Sequence, residues 1–388
     1  MATPEIAGRR VLAFCDYYSP KSTGGAERVA REVCVRLARA GASVTVMSAL
    51  DLPTYHDAGV EVLPLRAYDM SPYLKAQLAI SPSYMRHAVT LARRVEPEVI
   101  YTQSLHFQGS LVAAQLARKL DVPLVTVAHV ADLAHLRGIA RTLGEAHERT
   151  AGRWIMSRSA RMIAVSSAVR EHCIDRGADG RKVTIVHNGV DHTLFPESDE
   201  PLGDNIHIVF VGRLIANKGP QLLIEAAELL HDRDVRFTMT FVGDGPLKRA
   251  IEARCAGLPV TCVGASEDVP SWLRSANIVV RPSYTEGMPL TILEAMASRR
   301  CVVASDIAAN REIVHGGVTG SLHRCGDSRS LADEIEILSR RPAHRAALAR
   351  AGFERARDYT WENTALGHAR VLASVAARGG LLSDAQAR

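Results

Sequence analysis

The chain has 388 residues, 47% of them hydrophobic and 23% charged, and a net charge of +5. That length exceeds one ordinary core and predicts two domains, in a composition that is globular rather than disordered or fibrous. The basic residues are scattered, which argues against a dedicated nucleic-acid surface, and no apolar run approaches the roughly 20 residues of a membrane helix. Seven cysteines without a Cys-x-x-Cys pair fit free thiols in a reducing compartment, and MATPEIAGRR carries no apolar segment that would make it a secretory leader. The expected location is therefore cytoplasmic.

In chain order, VLAFC at 11–15 predicts a strand. AERVAREVCVRLARAG predicts a helix, with Val29, Val33, Leu37 and Ala40 at helical spacing and Gly41 as its stop. SVTVMS is the next strand. The cycle repeats through EVIYTQ, GSLVAAQLARKL and PLVTVAH, then RMIAVS, a helix to about Gly177, and KVTIVHNGV. Apolar strands joined through helices predict a parallel sheet covered on both faces. Near Phe195 the pattern stops, and 196–205, rich in acidic residues and proline, is the expected linker. The cycle then restarts with IHIVFVG, PQLLIEAAELL, RFTMTFVGDG, a helix from about Pro246, PVTCVG, ANIVVRPS, a helix from Pro289, and RCVVASD. The expected division is 1–195, a linker at 196–205, 206–365, and a C-terminal helix and tail at 366–388 that returns to the first domain. Each domain is a doubly wound α/β sheet, and ligands of such sheets bind outside the carboxyl ends of the strands. Two domains facing across a cleft are the predicted architecture.

Four strand-end loops bear on the ligand. SPKSTGGAER offers Gly24 and Gly25, which let backbone approach an anion at the start of a helix; a tight strand–helix turn explains them equally well. No glycine follows Gly25 at the dinucleotide spacing, so a nicotinamide site is disfavoured. In FVGRLIANKGP, Arg213 and Lys218 flank one loop and can clamp a diphosphate, or stand as solvated cations. FVGDGP brings Gly243 ahead of another helix. PSYTEGMPLTILEAMA sets Glu286 just before a predicted cup of amides at Gly287, Met288 and Leu290, with Pro289 in the first helical turn. Glu294 lies about five residues into that helix, roughly 7 Å further along. The two acids either hold hydroxyls at separate points of one extended ligand or simply belong to an ordinary acidic helix start. The basic, partly apolar MRHAVTLARR at 85–94 reads as a solvated helix face, with membrane contact at most peripheral.

Together these motifs resemble glycosyltransferase family 4, retaining enzymes of the GT-B fold. The mark is the Glu-x7-Glu run EGMPLTILE, supported by VGRL with the Lys-Gly of NKGP, VGDGP, VHNGVD at 186–191 and TGSL at 319–322. The resemblance implies a nucleoside diphosphate sugar as co-substrate, no further cofactor, no metal, and an N-terminal domain that takes a small-molecule or lipid-linked acceptor. It implies that Arg213 and Lys218 neutralise the diphosphate, that Gly25 approaches it, and that Glu294 binds the ribose. Glu286 holds the donor sugar, helped by amides from Gly287 to Leu290. His129, at the end of PLVTVAH, matches the family's histidine near the transferred sugar; by itself it also reads as a buried, hydrogen-bonded histidine. IAANRE departs from the family pattern ahead of Glu312 and makes Asn310 a possible donor contact. A nucleotide-sugar epimerase of the same fold and a non-catalytic sugar-nucleotide-binding subunit are the alternatives.

Overall fold

The computed structural model describes residues 5–20, 24–50, 52–69, 79–132, 138–198 and 205–385. Residues 21–23 of the first glycine loop, 199–204 of the expected linker and 386–388 of the tail lie outside the described residues. The chain forms two compact units, Met1–Asn188 with Trp361–Arg388, and Gly189–Thr360.

In the first unit, β1 (Arg10–Phe14), β2 (Ser43–Ser48), β3 (Tyr55–Asp57) and β4 (Val60–Pro64) are followed by the two-residue β5 (Tyr68–Asp69) and β6 (Ala79–Ile80). Then come β7 (Val99–Thr102), β8 (Leu124–Ala128), β9 (Arg161–Ala164) and β10 (Val183–Ile185). The main sheet has the order β10-β9-β8-β7-β1-β2-β4-β3, parallel except for the antiparallel edge strand β3. β7 and β8 are buried along their whole length, as expected of strands covered on both faces. The helix Gly25–Arg39 buries Val29, Val33 and Leu37 against the sheet, which fulfils its apolar spacing. The antiparallel β3–β4 pair was not foreseen, because YHD and VEVLP are too short and too polar to announce themselves. The helix Trp361–Ala385 belongs to this unit: Arg36 donates to Glu362 at 3.0 Å and the Thr364 hydroxyl donates to the His187 carbonyl at 2.9 Å.

The second unit contains β11 (Ile206–Val211), β12 (Phe237–Val242), β13 (Val260–Gly264), β14 (Ile278–Arg281), β15 (Cys301–Ser305) and β16 (Ser321–His323). They form one all-parallel sheet, ordered β13-β12-β11-β14-β15-β16. Its core includes Phe210, Phe241, Leu223, Ala227 and Leu230. The Phe210 and Phe241 rings lie 5.6 Å apart. Burying each ring contributes up to about 3 kcal/mol before the cost of ordering the chain.

Both sheets reverse their strand order once, the first between β1 and β7 and the second between β11 and β14. Open α/β sheets bind ligands at the carboxyl edge beside such a reversal. No helix among the described residues is long and apolar enough to cross a membrane.

Candidate active site

In the second unit the reversal joins the loop after β11, carrying Arg213 and Lys218, to the loop after β14, carrying Glu286. The two loops dock through their backbones. The Tyr284 amide donates to the Asn217 carbonyl at 2.9 Å, and Gly219 sits in the left-handed region at φ 70°. A Cβ on Gly219 would lie 2.0 Å from the Pro282 carbonyl oxygen, so only glycine lets the loops approach this closely. Pro220 then opens the helix Pro220–Asp232 as its first residue, as the sequence predicts.

This docking pairs Lys218 Nζ with Glu286 Oε2 at 2.7 Å. Glu286 Oε1 accepts from Arg281 Nε at 2.8 Å, from Arg281 Nη2 at 2.7 Å and from the Ser283 hydroxyl at 2.7 Å. Burial alone would raise the Glu286 carboxyl, but the charges of Arg281 and Lys218 and the hydrogen bonds to it pull it down to about 2. Burial drives the Lys218 ammonium down to about 8; Glu286 opposes that fall and Arg281 adds to it. Arg213 is exposed and makes no ion pair among the described residues. One buried carboxylate is therefore held by two cations, with a third cation open to solvent on the same loop. Such a group can receive a dianion.

Arg281 is the residue that the sequence reading missed. It ends β14, and its Nη1 also donates to the Val211 carbonyl at 3.0 Å. The only signal was a charge at the end of an otherwise apolar buried strand, IVVR.

The other expected residues of this unit lie as follows, with one helix boundary corrected. Glu294 is buried in the helix Leu290–Ala297. Pro289 is not in the first helical turn; it is the N-cap, with extended backbone at φ −75° and ψ 116°. The helix-start amides are consequently those from Leu290 onward, while Gly287 and buried Met288 belong to the preceding loop. Gly243 serves backbone packing: its φ is 145°, and a Cβ there would lie 1.9 Å from the Gly212 carbonyl oxygen. Asn310 is fully buried, donating to the Ser305 carbonyl at 2.9 Å while its Oδ1 finds no hydrogen-bond partner among the described residues.

In the first unit, Gly24 is the N-cap of the helix Gly25–Arg39, and Glu27 folds back across the face that a Gly24 side chain would occupy. His129 follows β8 and is held by a neutral chain. His129 Nε2 lies 3.0 Å from Gln103 Oε1, Gln103 Nε2 donates to the Tyr101 hydroxyl at 2.6 Å, and that hydroxyl lies 2.6 Å from His368 Nδ1. Burial lowers His129 to about 4, so the ring is neutral near pH 7. His368 is pulled down to about 3 by burial and by His129. Asp16, beyond β1, also escaped the sequence reading. Burial lifts it to about 6 against hydrogen bonds from the Tyr84 hydroxyl at 2.7 Å and the Gly109 amide at 3.1 Å. Glu148 anchors His106 and His172, each at 3.0 Å, and these three residues line a small cavity with His129.

Known proteins match this arrangement along most of the chain. The family model described as Glycosyltransferase Family 4 matches residues 23–194, and that described as Glycosyl transferases group 1 matches 205–341. A D-inositol 3-phosphate glycosyltransferase of Frankia alni is 30% identical over 89% of this chain and 93% of its own length. The chain belongs to glycosyltransferase family 4. Another D-inositol 3-phosphate glycosyltransferase, from Arthrobacter sp. strain FB24, is 33% identical to this family 4 glycosyltransferase over 67% of each chain. Among solved structures, Anabaena Alr3699/HepE in complex with UDP superposes with a TM-score of 0.76 at 21% identity, covering 94% of this chain and 100% of that one. Sucrose-phosphate synthase from Thermosynechococcus elongatus gives 0.77 at 20% identity, covering 95% and 100%. At those identities the likeness establishes the fold, and the fold is GT-B.

Proposed function

We propose that this glycosyltransferase moves a sugar from a nucleoside diphosphate sugar to an acceptor hydroxyl with retention of anomeric configuration. The observation that carries the reading is the ion-paired Lys218 and Glu286, beside the exposed Arg213, at the strand-order reversal of the second unit. In the reaction the bond between the anomeric carbon and the phosphate oxygen breaks, and its electrons stay on the diphosphate. The acceptor oxygen bonds the anomeric carbon on the same face, and its proton passes to the leaving phosphate. Arg213 and Lys218 meet charge that grows as the bond breaks, which is where stabilisation accelerates the step. These side chains carry the neutralisation that a metal would otherwise supply. Glu286 orients the donor sugar, Glu294 holds the ribose, and His129 contacts the transferred sugar as a neutral hydrogen-bonding group. Solved neighbours bound to UDP support a nucleotide donor. Relatives named for D-inositol 3-phosphate support a small polyol phosphate as acceptor ahead of a lipid-linked one. Seven free cysteines support a cytoplasmic location.

The test follows nucleoside diphosphate release from UDP-, GDP-, ADP- and dTDP-sugars, with and without inositol phosphates, in the presence of a chelator. Acceptor-dependent release and a product of unchanged anomeric configuration by NMR are expected. Donor isomerised without any acceptor would instead make the chain an epimerase.

A further inference from the structure

Glu286 divides its two oxygens between unlike partners. Oε1 takes the Arg281 guanidinium twice, together with the Ser283 hydroxyl, whereas Oε2 takes Lys218. Arg281 is immobilised. Its backbone lies in β14, paired with β11 and β15, and its Nη1 donates to the Val211 carbonyl at 3.0 Å. A Cβ on Gly212 would lie 2.6 Å from that same Nη1, so the glycine of VGRL is the room the guanidinium occupies. Lys218 is built differently: it ends a single 3-10 turn, and its ammonium rides on a flexible four-carbon stem.

We propose that Arg281 is a positioning residue, the fixed counter-ion of Glu286, which frees Lys218 to move its ion pair from Glu286 to the donor's diphosphate. The inference rests on the reading of Lys218 as the diphosphate's partner. Stripping the sole cation from a buried carboxylate would strand a charge and oppose the transfer. With Arg281 in place Glu286 stays paired on Oε1, so Lys218 can leave Oε2. The direction of the Lys218 shift agrees with this, since burial and the neighbouring Arg281 leave its ammonium under-compensated where it rests. A dianion supplies what is missing.

The experiment titrates UDP, GDP and ADP into the full chain by calorimetry and carries the tightest forward, with the matching nucleoside as a phosphate-free control. Arg281→Gln is expected to weaken the diphosphate by about tenfold or more, the scale of one charged hydrogen bond, and to leave the nucleoside unchanged. Arg281→Gln combined with Glu286→Gln is expected to return within a few-fold of wild type, because Lys218 no longer has a carboxylate to stay with. A role in folding alone would weaken nucleoside and diphosphate together and would show no such rescue. Wild-type diphosphate affinity in Arg281→Gln, or a double variant no better than the single, overturns the proposal. If Arg281→Gln does not fold by circular dichroism, Arg281→Lys keeps the charge but not the twofold grip on Oε1. An intermediate loss, relieved by Glu286→Gln, is then expected, and no loss overturns the proposal. Lys218→Ala separates the two ideas. If that variant binds the diphosphate like wild type, the reading of the donor site fails, whatever Arg281 does.

Discussion

The polar groups around His129 in the first unit and around Glu286 in the second solve the same burial problem in opposite ways. His129 itself is held by neutral groups, Gln103, Tyr101 and His368, in a hydrogen-bonded chain that ends on the C-terminal helix, while the Glu148–Arg176 ion pair lines the same cavity. Around Glu286 the groups are charged, with Arg281 and Lys218 converging on one carboxylate. Neutral chains fix the direction of a ring without setting up a field; charged clusters hold a field ready for an incoming anion. The first arrangement suits a group that must orient an uncharged sugar. The second suits one that must accept a leaving diphosphate.

The difference can be broken most severely at Glu286. Glu286→Ala leaves buried Arg281 and half-buried Lys218 without their shared carboxylate, and breaking a buried pair costs about 3–5 kcal/mol. A large fall in the denaturation midpoint, together with lost transfer, is expected; a midpoint within a degree of wild type would mean that the cluster is well hydrated. Gly243→Ala acts on the same unit through sterics alone. Its Cβ must displace the Gly212 carbonyl, so a loss of about 2 kcal/mol is expected in chemical denaturation, with transfer reduced because the VGRL loop shifts.

Gln103→Leu interrupts the neutral chain and should be milder, at about 1–3 kcal/mol of stability for the buried groups left unpaired. Transfer should fall while nucleoside diphosphate affinity, measured by calorimetry, stays at the wild-type value. The smallest effect concerns pH. With His129 near 4 and Lys218 near 8, protonating His129 gives no acid limb above about pH 5, whereas donor binding should decline as pH rises past about 8 and Lys218 loses its proton. Donor KM across pH 5–9 and nitrogen NMR shifts of His129 check the two halves separately. A His129 ring that takes up a proton near pH 6.5 would erase the contrast between the regions.

Most strands and helices of both sheets were legible because continuous apolar strands alternated with helical spacing; the short β3, β4 and β16 were not. The Lys218 and Glu286 loops were legible because cations, glycines and acids sat at strand ends. What escaped were relations that spacing cannot carry. Tyr101, Gln103, His129 and His368 meet only once the last helix packs on the first unit, so no window of sequence contains them together. Arg281 was hidden inside a run that scores as strand, although a charge on a buried parallel strand was itself the clue. Gly243 invites a ligand reading until the Gly212 carbonyl packed against it is seen. Pro289 fits a helix start on either side of the boundary, since proline has no amide to lose at the N-cap or at the next position.

The proposed donor site stands or falls on whether Lys218 and its loop receive the diphosphate. The most direct measurement is the affinity of the free nucleoside diphosphate for Lys218→Ala against wild type, with the nucleoside as control. A loss of about tenfold or more, confined to the diphosphate, is expected. Equal affinities in the two proteins would contradict it.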